Sequence, residues 1–245
     1  KAKYLKQVEK GYMNKLVFYN EIPRPSRLIS FNMDKPPLDD INVRLGLSHS
    51  FNFEKLFTTL MRNDVTRLDA FADGYGKYTC KDYPPRKYDL KKAAEYFDKA
   101  GWTERDSEGF RTKDGKRLEF KILYPRASDT PKMIIFKESA KKAGVSLKLD
   151  NYDPNAVFVA MLDKKHQLAW HGWSTSLRPR YWGTYHGDNA HKKKNNNFSN
   201  LDDKELNELI NIYRKGKNEL ERIALVKKIE KRLYDLAPAT VSYKA

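Results

Sequence analysis

Between residues 118 and 173 the apolar pattern switches repeatedly between the period of a strand and that of a helix, and this alternation leaves few possible folds. A strand-like run at 118–124 gives way to Thr130-Pro131, a cap followed by a proline suited to the first helical turn. The helix it opens stops at Gly144, and residues 146–150 read as a strand again. Asp153-Pro154 opens a second helix carrying Phe158, Met161 and Leu162, and 168–173 form a third strand. Strand–helix–strand–helix–strand in this order predicts parallel neighbours joined by right-handed crossovers. Ligands of such sheets sit beyond the carboxyl ends of the strands, so the exit from the third strand is the place to look for a site.

That exit lies in residues 168–186, LAWHGWSTSLRPRYWGTYH. The strand breaks at Gly172-Trp173 into a polar loop with Ser174, Ser176, Arg178 and Arg180, which closes on Tyr181, Trp182 and Tyr185. Aromatic faces beside a few convergent polar groups are what a small-molecule or peptide pocket requires. The same side chains would also serve as core anchors and solvated cations, and composition does not separate the two readings. Position at the carboxyl edge of a parallel sheet favours the pocket.

The flanking segments read in order. Residues 1–15 are basic and begin with a short helix. Strands follow at 16–19 and 28–31, around a Pro23-Arg24-Pro25 turn. Pro36 and Pro37 forbid a helix until Asp39 or Asp40 caps one through Val43, Leu45 and Leu47, and a second starts at Asn52. Residues 62–88 lack a period and read as a long surface loop. Asp89 caps a helix with Leu90, Ala93, Ala94 and Phe97 that stops at Gly101, and Asp114-Gly115 marks a hairpin between 110–112 and 118–124. Asp202 with Glu205, and Asn218 with Glu221, open two C-terminal helices. After Pro238 the chain closes on a strand at 241–243, whose sheet partners are expected outside this sequence.

Charge and chemistry narrow the function. The chain has 48 Lys and Arg against 32 Asp and Glu, a net charge of +16. Its lysines are spread along the length, the one dense block being 191–194, so the excess reads as solvated surface that draws acidic partners. A basic module binding nucleic acid or anionic surfaces is the alternative reading. No apolar run approaches the ~20 residues of a membrane helix. The chain opens on Lys1 without a leader-like segment, as expected of a processed chain or a fragment. Cys80 stands alone, without a local base, and reads as a structural thiol. Glycine-rich phosphate loops, HExxH, GxSxG and CxxC patterns are absent, and Glu21, Glu54 and Asp69 form no recognisable acid/base pair. His186, Asp188 and His191 have metal-compatible spacing in a loop without fixed geometry; His171 reads as a core histidine, and His49 and His166 as surface residues. No enzyme, cofactor or metal is expected.

Five segments in register resemble the family 5 extracellular solute-binding proteins of ABC importers. Residues 31–44, with Pro36-Pro37 and Val43-Arg44, are similar to that family's "FN…PPF.D.RVR.A" segment; 88–102, from Tyr88-Asp89 to Gly101-Trp102, to its "YD..KAK.LL.EAGW" segment. Gly172-Trp173-Ser174 resembles the turn before the family's ligand loop, and 197–210 with 222–238 resemble its C-terminal helices. Within the family, Trp173 to Leu177 with Trp182-Gly183 looks closest to the branch implicated in oligopeptide and microcin-type uptake. The resemblance implies an α/β fold: one lobe of a two-lobed, type II periplasmic-binding-protein-like architecture, with a mixed sheet and flanking helices. It implies that residues 1–245 are a single C-terminal lobe, with about 218–245 returning towards a first lobe that is not here. It further implies an exported, periplasmic or cell-surface protein, a peptide or peptide-like solute, and an ABC permease as partner. Ligand contacts would fall on Gly172, Trp173, Ser174, Ser176, Arg178, Arg180, Trp182 and Tyr185: backbone pairing at 172–174, aromatic walls, and arginines for a carboxylate. Asn32 and Arg44 would be structural. Two departures stand out. The better-known peptide binders carry an aspartate three residues after the tryptophan that pairs with the peptide's amino terminus, whereas here that residue is Ser176. The nearest branch also has a longer Pro-Gly-Asn-Glu insertion where this chain has Arg178-Pro179-Arg180.

Overall fold

The computed structural model describes residues 4–14, 16, 26–173, 176–216 and 218–244. After a short exposed helix α1 (Leu5–Glu9), strand β1 (Arg27–Phe31) enters the core; the strand expected at 16–19, apart from its first residue, and the turn at 23–25 lie outside the described residues. Helix α2 (Ile41–Ser50) starts where the Asp40 side chain accepts from Asn42 N–H, and α3 (Phe53–Leu60) where Asn52 accepts from Lys55 N–H. Each cap satisfies an amide that the first helical turn leaves unpaired. Strand β2 (Thr66–Arg67) follows, then α4 (Leu90–Lys99), capped by Asp89 on two amides. The α2 and α4 helices meet at Gly46, where a Cβ would lie 2.5 Å from the Phe97 ring, so only glycine admits that ring.

Strands β3 (Glu104–Arg105), β4 (Arg111–Lys113) and β5 (Lys116–Arg117) make a small antiparallel sheet, turning at Asp114-Gly115 with φ of 51° and 71°. The strand expected over 118–124 is present as one strand, but it is not the hairpin partner of 110–112. β5 pairs with β4, whereas β6 (Glu119–Tyr124) joins the main sheet. Leu118 is the switch: its N–H donates to Arg111 O and its carbonyl accepts from Ser146 N–H. Helix α5 (Thr130–Lys142) is preceded by Asp129 without a side-chain cap, and Thr130 instead meets the Tyr124 hydroxyl at 3.0 Å. Then come β7 (Ser146–Asn151), α6 (Pro154–Leu162, capped by Asp153), β8 (Leu168–Gly172) and the one-turn α7 (Trp182–Tyr185). Helix α8 (Lys204–Lys215) is capped by Asp203, one residue later than expected, because Asp202 instead accepts from the Asn207 side-chain amide. Helix α9 (Glu219–Leu236) is capped by Asn218; β9 (Ala239–Val241) and β10 (Tyr243–Lys244) complete the chain.

The main sheet has the order β7-β6-β8-β1-β9. β6 is parallel to both β7 and β8, as the alternation predicts, while β1 runs antiparallel between β8 and β9. The last strands find partners within the chain, β9 on β1 and β10 on β2, which corrects the expectation that they pair elsewhere. One sheet face, with Ile29, Phe31, Ile122, Leu168 and Trp170, packs against α2, α3, α4 and α5 in the largest core. Fully burying a ring such as Phe136 or Phe53 stabilises by about 2–3 kcal/mol. The opposite face is covered by α6 through Leu123, Val157, Met161 and Ala169. A third cluster joins α8, α9, α7 and residues 71–78.

Three expectations are corrected by burial. Segment 62–88 is irregular but not a surface loop, since Leu68, Ala70, Ala72, Asp73, Tyr78 and Cys80 are all buried. His49 is buried, stacked on Tyr96, with Nδ1 2.8 Å from Lys87 O. His166 is buried too, with Nε2 3.1 Å from Phe198 O. Asn32 and Arg44 are structural, as read. Asn32 donates to Lys164 O and His166 O, and Arg44 donates to three backbone carbonyls.

Candidate ligand-binding site

Alternation along β8 decides which aromatic residues belong to the core. Trp170 points into the large core against Phe136 and Tyr243 and is fully buried. His171 points to the other face, where Nε2 lies 3.0 Å from Ser30 Oγ, and burial holds its pKa down to about 3. It is therefore a neutral support. The Trp173 ring stands perpendicular to it at 4.9 Å and stacks on Phe198 at 5.1 Å, so two fixed rings set the angle of Trp173 at the strand's exit. Gly172 is needed for packing: a Cβ there would sit 2.9 Å from Ser26 O on the chain alongside.

Beyond Gly172 opens a cavity of about 330 Å3, within the range of small-molecule sites. Trp173, Tyr181 and Tyr185 line it from the segment after β8, and Phe71 and Tyr75 line it from the segment before α4. Leu28, Leu68 and Val241 form an apolar floor, and Asp73, Ser176, Arg180, Thr184 and Asn196 supply polar groups. The loop is fixed from behind: Ser176 Oγ donates to Arg178 O, and Tyr213 donates to Pro179 O. Tyr181 donates to the buried carboxylate of Glu230 at 2.8 Å. Burial and then that carboxylate push the phenols of Tyr181 and Tyr185 well above their ordinary range, so both stay neutral hydroxyls.

Of the residues singled out in the sequence, Trp173, Ser176, Arg180 and Tyr185 line this cavity. Arg178 does not; it is exposed, and its charge acts on Tyr213 and Glu219 instead. Trp182 is no wall either, because its ring lies under the Arg214 guanidinium at 4.6 Å and beside His186. Gly172 forms the adjoining strand end, and Ser174 lies outside the described residues. Phe71, Asp73 and Tyr75 come from the segment read as a surface loop and were not singled out. Tyr75 and Phe71, aromatic residues in a glycine-bearing aperiodic stretch, were the available signal. His186 and His191 diverge: His186 accepts from Asp188 N–H, while His191 pairs with Asp34 at 2.8 Å. Among the described residues no group of three or more His, Cys, Asp or Glu could hold a metal ion.

The strand's hydrogen bonding adds a second feature. Gln167 O accepts from Asn32 N–H and Trp173 N–H donates to Ser26 O, so the odd-numbered residues of β8 face β1. The backbone groups of Trp170 and Gly172 accordingly face the other side, where β6 pairs no further than Ala169. The strand end at Gly172 thus has an amide and a carbonyl facing away from β1, and it is followed in sequence by Trp173, which lines the cavity.

The model of bacterial extracellular solute-binding proteins, family 5 middle region, matches residues 2–195. The uncharacterized protein y4wM of Sinorhizobium fredii is 24% identical over 256 residues, covering 87% of this chain and 38% of that protein. The oligopeptide-binding protein AppA of Bacillus subtilis, solved with a nonapeptide, superposes with a TM-score of 0.84 at 20% identity, over 99% of this chain and 48% of that one. NikA of Brucella suis, solved with Fe(III)-EDTA, gives 0.77 at 21% identity, over 100% and 49%. The chain spans less than half the length of each of these relatives. Its mixed sheet with flanking helices is the lobe architecture the sequence implied, and the chain belongs to the family 5 bacterial extracellular solute-binding proteins.

Proposed function

We propose that this chain is one lobe of an exported, two-lobed solute-binding protein that captures peptides or peptide-like solutes and hands them to an ABC permease, without catalysis. The observation that carries the reading is the pairing of an outward-facing strand end at Gly172 with an aromatic cavity of about 330 Å3. An extended backbone adds to such an edge through main-chain hydrogen bonds, and neighbouring cavities receive its side chains. Trp173 and Tyr185 supply apolar faces at low entropic cost. Arg180 attracts a carboxylate, with Arg178 contributing only long-range charge. Ser176, already donating to Arg178 O, gives a peptide's amino group no ion pair. The family includes a protein solved with a nonapeptide, which supports a peptide of several residues as ligand. In this reading residues 1–245 form a single lobe. Within it, 218–245 return along the sheet edge at β9 towards the lobe that completes the cleft.

The test is a thermal-shift screen of the two-lobed protein against a defined panel of di- to nonapeptides. Stabilised hits are expected, with a shift of several degrees at ligand concentrations about a hundredfold above Kd. Trp173→Ala should remove the shift while leaving the unliganded melting temperature within a few degrees. A panel without a single hit rejects the peptide class.

A further inference from the structure

The two walls of the cavity come from segments a hundred residues apart in sequence, and one side chain on a third element touches both. Glu230 lies on α9 behind the cavity and is essentially buried. One carboxylate oxygen accepts from Phe71 N–H at 2.9 Å, and the other from the Tyr181 hydroxyl at 2.8 Å. Phe71 belongs to the wall with Asp73 and Tyr75; Tyr181 opens α7 and belongs to the wall with Tyr185. The walls also meet where the Phe71 and Tyr185 rings cross at 5.6 Å. A carboxylate is well suited to this link, since it offers two acceptors and no donor. A glutamine carries no charge, and it can hold both walls only if its oxygen takes the Phe71 N–H and the Tyr181 hydroxyl turns to accept from its NH2, so both bonds lose charge assistance. We infer that Glu230 is the positioning residue of this cavity, its carboxylate setting the separation of the two walls and hence the ligand affinity. The inference rests on the proposed binding function for its affinity consequence, but not for its structural one.

Proton uptake weakens the link, because the Tyr181 hydroxyl must turn to accept the acid proton and two charge-assisted hydrogen bonds become neutral ones. Burial pushes the Glu230 carboxyl up to about 7, with Asp73 adding repulsion. The other groups facing it are Tyr181 and Tyr185 from the cavity side and Cys80 from the loop. Across a small void on its far side stand Asp69, Tyr83, Arg86 and Tyr234. Arg86 is held by Tyr234 O at 2.8 Å and over the Tyr234 ring. The wall separation is therefore expected to loosen below neutral pH.

Two variants of the two-lobed protein test this, Glu230→Gln and Tyr181→Phe. The first removes one acceptor from both walls' shared anchor; the second deletes a single hydroxyl, leaves the ring in place, and carries the test if the first does not fold. Amide hydrogen exchange needs no ligand: in Glu230→Gln the amides of Phe71 and Ala72 should exchange about tenfold faster while those of α5 keep their protection. With the tightest-binding peptide of the panel, N-acetylated so that its own amine does not titrate, affinity should fall about tenfold in Glu230→Gln and severalfold in Tyr181→Phe. Wild-type affinity should drop between pH 8 and pH 6, and Glu230→Gln should lose that dependence. Unchanged exchange at Phe71, or a uniform rise in exchange across the lobe, overturns the inference. So does a variant that binds as the wild type does at both pH values. If the wild type binds no peptide, the proposed function fails, and the exchange result still decides whether Glu230 holds the walls.

Discussion

Acidification from about pH 7.5 to about pH 5 is expected to remove about 1–2 kcal/mol of folding stability, well before the carboxylates as a class are protonated. The cause lies in buried histidines: burial lowers His49 in the same direction, and two others are displaced further. Burial holds His166 down to about 4 and His171 down to about 3, each from an ordinary 6.5. Both pKa values are lower in the folded chain, so between about 6.5 and 4 the unfolded chain binds more protons, and stability rises with pH over that window. The contribution is complete above 6.5 and is lost as pH falls. Each unit of displacement corresponds to about 1.4 kcal/mol. Glu230 works in the opposite direction. Its folded pKa is raised from 4.5 to about 7, so its contribution is greatest in acid and is lost as pH rises through 7. Two histidines outweigh one carboxyl, and the net slope is towards instability in acid. Guanidinium unfolding at pH 7.5, 6 and 5 checks this, and His171→Gln should flatten the curve. A midpoint independent of pH in both the wild type and Glu230→Gln, which removes the opposing carboxyl, would show that neither imidazole is buried in the neutral form.

The second large effect is at Arg44. Its guanidinium is buried and, among the described residues, carries no ion pair at hydrogen-bond distance; it donates to Leu38 O at 2.7 Å, Asp39 O at 2.9 Å and Leu236 O at 2.9 Å. Leu236 is the last residue of α9, so a cation meets the negative end of an 18-residue helix. Burial lowers the Arg44 pKa to about 10, which leaves it charged at neutral pH. Arg44→Met keeps much of the volume but strands three carbonyls, and about 3–5 kcal/mol of stability should be lost. Arg44→Lys should recover little, because a single ammonium cannot span carbonyls on two elements. Chemical denaturation of the three proteins measures both values.

These effects also mark where sequence reading stops. The caps at Asp89, Asp153 and Asn218 were legible because a side chain bonding an amide two or three residues on is a local event. The parallel arrangement of β6, β7 and β8 was legible because helices of fixed length separate them. The site was legible on one side only. Trp173 and Arg180 lie in a stretch whose position in the fold could be inferred, whereas Phe71, Asp73 and Tyr75 enter through tertiary contacts of an aperiodic segment. Arg178 and Arg180 are both exposed and flank Pro179, whose carbonyl accepts from Tyr213, yet only Arg180 lines the cavity, which two-residue spacing in a loop does not reveal. Glu230 gave no signal. It sits among lysines and glutamates on an amphipathic helix, and its partners lie 49 and 159 residues away.

The central claim is that the strand end at Gly172 receives an extended backbone. Amide hydrogen exchange at Gly172 in the two-lobed protein, with and without the tightest-binding peptide, tests it most directly. The account predicts fast exchange without peptide and at least tenfold protection with it, since that amide faces away from β1 beyond the last residue paired with β6. Saturating peptide that leaves Gly172 exchange unchanged would contradict it and place the ligand's main chain elsewhere.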